Sequence, residues 1–408
     1  MEIHRPMKFN NDSNRALKRP IAVSALAFLI AISTTVNAGD IERQQARRIH
    51  DRLTGIPPSN TTLNTMEDLL ISDPSGETAA YEAMNNPAFY NVTLKNFAAP
   101  WTNEDQSVFV PLNDYTATVI GMVRDNVDFR QVLYGNIIYV GNVSPAYSNN
   151  NNDHYEALEA AGADFSDPAV LQRKTQTEVT GLEASATAGV ITTRAAAAAF
   201  FVDGTNRAMF RFTLINHMCT DLEQLKDISR VPDRIHRDVS RSPGGDSRIF
   251  MNNCVGCHAG MDALYGAYAY YNFNNATQQL DYTPNVVAEK YNINANNFKY
   301  GHITTDDSWL NYWRNGQNQL LGWDSNTVLD ENGHSFGNGA KSMGEELANS
   351  YAFSHCQVKK VFKTVCFRDP DDYASDRSEV TNITNDFNTN GHDMKRVFAK
   401  TAAYCKGS

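Results

Sequence analysis

What this 408-residue sequence lacks narrows its reading before anything it contains. Outside one run of twelve, Ile21 to Ile32, no uncharged apolar stretch approaches a membrane span. A helix needs about 20 residues to cross some 30 Å of hydrocarbon, so twelve are too few. Positive charge is in deficit: 36 Lys and Arg stand against 46 Asp and Glu, a formal net charge of −10. That balance argues against nucleic acid or anionic lipid as the partner. There is no His-Glu-x-x-His zinc helix and no EF-hand loop. The acidic group Asp369, Asp371, Asp372, Asp376 and Glu379 lacks the spaced glycine and twelfth-position glutamate of a calcium loop, and reads as a solvated turn. No repeat of fixed period is visible.

What is present begins with a processing signal. Arg15, Lys18 and Arg19 precede the apolar run, and Val36-Asn37-Ala38 supplies the small residues that a signal peptidase requires. Residues 1–38 therefore read as a cleaved signal peptide, which places the mature protein in the periplasm or outside the cell. Its removal takes away five basic and two acidic residues and moves the formal charge from −10 to −13. The rest reads as mainly α. Asp40 to Leu53 is periodic and is stopped by Gly55 and by Pro57-Pro58. Further helical patterns fall at 65–70, 76–85, 115–124, 207–219, 344–367 and 392–404. The stretch 282–339, rich in Asn, Gly, Asp and aromatic residues, reads as a long ordered loop region. Thr304 to Ser308 reads as polar capping of a helix at Trp309. The expected organisation is a helical domain over 39–200 followed by a second domain over 201–408.

The chemistry sits at Cys254-Val255-Gly256-Cys257-His258. Covalent attachment of haem c needs two thiols that reach one porphyrin edge and an imidazole that reaches the iron. Two intervening residues place the thiols about one helical turn apart, and the adjacent histidine then points at the metal. A zinc site would want a second ligand pair, yet no other Cys-x-x-Cys and no His-x-x-x-His occurs. A thioredoxin-like pair would want a strand–helix–strand context, which is missing. The sequence therefore predicts one haem c, bound by Cys254 and Cys257, with His258 as the proximal iron ligand. Met261 lies on the wrong side to be the sixth ligand. Met343 and His302 are the two candidates, beside another residue, a water or an open site. Trp309, Tyr312, Trp313, Trp323 and Phe336 are suited to wall a porphyrin, or to form a small core of their own.

Four cysteines remain, and export permits disulfides. Cys356 and Cys366 lie ten residues apart in a segment, 344–367, that reads as one helix. Their Cα atoms would stand about 15 Å apart, against a limit of about 7 Å for a disulfide. Two pairings survive: Cys366–Cys405 with Cys219–Cys356, or Cys356–Cys405 with Cys219–Cys366. The first is favoured because Cys366 sits at a helix end, where the chain can fold back.

Several stretches together resemble the planctomycete-type cytochrome c proteins, exported and multi-domain. The residues 46–59, from Ala46-Arg47-Arg48 to Leu53-Thr54-Gly55-Ile56-Pro57-Pro58-Ser59, are similar to that family's opening. Asn86 to Tyr90, Arg124 to Phe129, Gly189 to Thr193, Asn206 to Cys219 and Leu347 to Arg368 are similar to later segments. Cys254 to Asp262 resembles its haem motif, with Ala263 where the family commonly has Pro. The resemblance implies a haem-bearing exported protein and supplies no catalytic residue. The expected function is electron transfer with a redox partner protein. The alternative is a haem enzyme of peroxidase or oxygenase type with an open distal position.

Overall fold

Turn chemistry sets the first helices. In a computed structural model, which describes residues 39–202 and 204–407, the opening helix Asp40–Thr54 ends at Gly55, in the left-handed region at φ 72°. Pro57 and Pro58 prevent its resumption, and Ser59 caps the next helix, Asn60–Ser72, by accepting from the Thr62 amide. The expected signal peptide lies outside the described residues. Helices dominate, with fifteen α-helices and three two-stranded antiparallel sheets among the described residues. No helix among them is long and apolar enough to cross a membrane.

The first and last helices of the described residues pack together. Asp40–Thr54, Asn60–Ser72 and Glu77–Met84 form one helical group, against which the last helix, Met394–Tyr404, is laid. Tyr351–Cys366 is the hub: it touches Ala374–Thr389, Met394–Tyr404 and Arg207–Met218. The main apolar core runs from Ala46 to Cys405 and includes residues on both sides of the expected boundary at 200/201, such as Phe200, Phe201 and Phe210. Contacts gather residues 38–408 into one unit.

The sheets are small. Ile138–Gly141 pairs with Leu171–Lys174, Tyr271–Asn274 with Gln279–Tyr282, and Ser308–Asn311 with Ser335–Asn338. The last pair corrects one expectation: Trp309 lies on a strand, not at a helix start, and Asp306 accepts from the Ser308 amide at the strand's entry. The long helix expected over 344–367 is two, Gly339–Ala348 and Tyr351–Cys366, broken where Ser350 turns extended and caps the second by accepting from the Phe353 amide. The acidic turn at 369–376 is held by cations: Asp369 pairs with Lys363, Asp371 with Lys359 and Asp376 with Arg368.

Candidate functional site

The five motif residues occupy the entry and first turn of the helix Val255–Tyr265. Asp246 caps the preceding turn by accepting from the Arg248 amide, and a wide helical stretch, Phe250–Cys254, feeds into the motif helix. Two glycines bring its rear face close to the protein. A Cβ on Gly260 would lie 2.1 Å from Trp313 Nε1, and one on Gly256 would lie 2.6 Å from Lys226 Cγ. Both glycines are two residues from His258, about 200° around the helix. The helix is therefore clamped from behind, while His258, four residues after Cys254, looks the other way. Trp313 is thus part of that rear clamp, and Met261 is buried in the main core.

Four of the six cysteines are bonded, Cys219 to Cys356 and Cys366 to Cys405, which is the favoured pairing. Cys254 and Cys257 are unpaired and partly exposed. Burial pushes the Cys257 thiol up from its ordinary value. Cys254 packs on a second, separate apolar cluster formed by Ile235, Val239, Phe250, Val255 and Ala259.

His258 is held by a carboxylate. Its Nδ1 lies 3.0 Å from Asp262 Oδ1, one helical turn further on, where Asp262 is fully buried. Burial by itself would raise the Asp262 carboxyl, but the Arg207 guanidinium and the His258 hydrogen bond hold it well below the usual carboxylate range. Since Asp262 is ionised it can only accept, so His258 donates from Nδ1, and its Nε2 makes no hydrogen bond among the described residues. Three further donors complete Asp262: Arg207 Nε at 3.0 Å, Arg207 Nη2 at 3.0 Å and the His236 amide at 3.2 Å. Arg207 also binds both oxygens of Asp238 and donates to the Tyr265 hydroxyl at 3.0 Å. The Tyr265 hydroxyl in turn is hydrogen-bonded to His236 Nδ1 at 2.7 Å, and burial pushes His236 down to about 4.

The geometry fits a haem-binding segment: two thiols outside any disulfide at the helix entry, an apolar cluster beside one of them, and an imidazole whose Nε2 makes no hydrogen bond among the described residues. The held Nδ1 matches how metal-bound histidines are commonly oriented. No three His, Cys, Asp or Glu side chains converge as a metal cluster among the described residues.

The two candidates for the sixth position are placed differently. Met343 is buried on Gly339–Ala348 in the main core, whereas Cys254 packs on the second cluster. His302 lies with its ring centroid 5.0 Å from that of His236, beside a cavity of about 240 Å³ that Asp262, Thr304 and Trp309 also line. Asp262 and the groups gathered on it reach His258 from the Nδ1 side. Trp309 is buried and donates to Ser342 Oγ, while Phe336 is 54% exposed. The sequence reading had no role for Arg207, His236, Asp238 or Tyr265; for Asp262 the helical spacing from His258 was the available signal. In comparisons with known proteins, no family model matches the chain, and no curated protein and no solved structure is similar to it.

Proposed function

We propose that the chain is an exported, monohaem c-type cytochrome that acts in electron transfer. In this reading haem c is attached through Cys254 and Cys257, and His258 is the proximal ligand of its iron. The observation that carries the reading is His258 itself. Its Nδ1–H is committed to a buried carboxylate, its Nε2 is left for a metal, and it directly follows two unpaired thiols at the required spacing. Such a haem supplies a one-electron iron couple. The protein's part is to hold the imidazole, keep one porphyrin edge on the 254–257 turn and present a surface to a partner. A formal charge of −13 after signal removal favours a redox partner with a basic docking face. The two disulfides suit an oxidising compartment.

Haem staining of the protein on a denaturing gel tests attachment. The wild type is expected to stain, and Cys254→Ser/Cys257→Ser to lose the stain with most of the stably folded protein. Undiminished covalent haem in the double variant ends the reading.

A second reading, a haem enzyme with an open distal position, is favoured by the carboxylate on His258, which makes the imidazole a stronger donor to the metal. Optical spectra separate the two. Met343 as sixth ligand predicts the weak long-wavelength ferric band of thioether ligation, lost with a lower potential in Met343→Ala. His302 predicts no such band, and an open site predicts carbon monoxide binding without denaturant.

A further inference from the structure

Besides the motif itself, the most completely satisfied polar group in this region is Asp262. Its two oxygens receive four donors: His258 Nδ1, two nitrogens of Arg207, and the His236 amide. An ionised carboxylate has about four lone-pair sites, so none is left over. A carboxylate buried this deeply is costly unless its partners are fixed, and here they are fixed from three separate stretches of chain. Arg207 stands at the start of the Arg207–Met218 helix, His236 in the loop before the motif, and Asp262 in the motif helix. Asp238 binds the far side of Arg207 with both oxygens and so shares the guanidinium's charge with Asp262. Arg207 keeps 21% of its side chain exposed and Asp238 10%, whereas Asp262, which joins Arg207 to His258, is fully buried.

We propose that Asp262 is the positioning residue of this centre: acting through His258 Nδ1, it fixes the imidazole's tautomer and orientation and lowers the reduction potential, and the Arg207–Asp238 pair sets how strongly it does so. The proposal rests on His258 being a haem ligand. The physical reason is charge. Negative charge shared with the imidazole favours the more positive, oxidised metal, and a cation that draws on the same carboxylate weakens that effect. Arg207 and Asp238 thus act in opposite directions on the same carboxylate. A purely structural scaffold would have no such signed response.

The test is a set of reduction potentials measured on purified holoprotein, with covalent haem verified by staining for each variant. Asp262→Asn keeps the shape and an accepting oxygen but removes the charge, and its potential is expected to rise. Arg207→Gln leaves Asp262 with the His258 Nδ1 and the His236 amide as its donors and no cation drawing on its charge, and its potential is expected to fall. Asp238→Asn turns Arg207 fully onto Asp262 and is expected to raise the potential by less than Asp262→Asn does. The paramagnetic proton spectrum adds a second readout: the exchangeable His258 Nδ1 proton is expected to shift in Asp262→Asn. Potentials that all move the same way, or an unmoved Nδ1 proton, overturn the proposal. If Asp262→Asn fails to hold haem, an unchanged potential in Asp238→Asn overturns it alone. Absence of covalent haem from the wild type would instead overturn the reading of the motif.

Discussion

At the scale of single residues, the motif helix depends on what is missing from its rear face. Gly260 has no side chain because Trp313 occupies the space: the indole nitrogen lies where a Cβ would sit within 2.1 Å. Trp313 is among the largest fully buried side chains and cannot easily retreat. Gly260→Ala is therefore expected to cost about 1–3 kcal/mol, the usual range for overpacking a filled core. The same step should tilt the helix and draw Asp262, and with it His258, away from Arg207. Chemical denaturation measures the first effect and haem content the second. A variant as stable as wild type would show that the indole moves aside freely. Gly256 faces Lys226 Cγ at 2.6 Å and Ile228 Cγ2 at 3.1 Å instead, aliphatic atoms and not a buried indole, so the same change there is expected to cost less.

At the scale of elements, the two disulfides staple helices that share few local constraints. Cys219–Cys356 joins the end of Arg207–Met218 to Tyr351–Cys366 and closes a loop of 137 residues that contains the whole Cys254–His258 motif. Cys366–Cys405 joins the end of Tyr351–Cys366 to Met394–Tyr404, closing 39 residues. Loop-closure entropy assigns about 5 kcal/mol to the longer link and about 4 kcal/mol to the shorter. Cys219→Ser/Cys356→Ser is thus expected to be the more destabilised pair and to lose haem more readily. Denaturant midpoints of the two double variants check the order. The reverse order would mean that the short link carries more packing than the long one. Cys356 and Cys366 do lie on one helix, as the sequence suggested, so they cannot meet. The break at Ser350 does not alter this, because it falls before Cys356. Ala374–Thr389 was not read as a helix because it is strongly polar. Its buried Val380, Ile383, Thr384 and Phe387 nonetheless fall at helical spacing, a narrow stripe that a composition-led reading passes over.

At the scale of the whole molecule, the core joins early and late parts of the chain around a buried histidine. His217 packs its ring 5.4 Å from Trp101, bonds Tyr115 at 2.8 Å through Nε2 and sits near Lys360. Burial, with the Lys360 charge added, pushes His217 well below its ordinary value, and burial pushes His392 down to about 4. Both are neutral when folded at pH 7, and both take up a proton below about pH 6.5 when unfolded. The unfolded chain then binds more protons, so stability is complete above about pH 6.5 and is lost as the pH falls. The slope is about 1.4 kcal/mol per pH unit for each such histidine. Melting temperature should drop between pH 7 and pH 5, and His217→Gln, less stable at pH 7, should show a shallower drop. An equal slope in that variant would remove His217 from the account.

The sequence by itself determined what depends on neighbours a few residues apart. The thiol–thiol–imidazole spacing, the stop after Thr54 and the exclusion of a Cys356–Cys366 bond are all of that kind. Each follows from helix rise, turn conformation or a single hydrogen bond, and needs no knowledge of the fold. Only the tertiary structure decided which distant groups meet. Arg207 reaches Asp262 across 55 residues, His236 lies beside His302 across 66, and Trp313 closes on Gly260 across 53. Nothing in local periodicity encodes those meetings, because they arise when helices from different parts of the chain pack into one core and must satisfy the charges they bury.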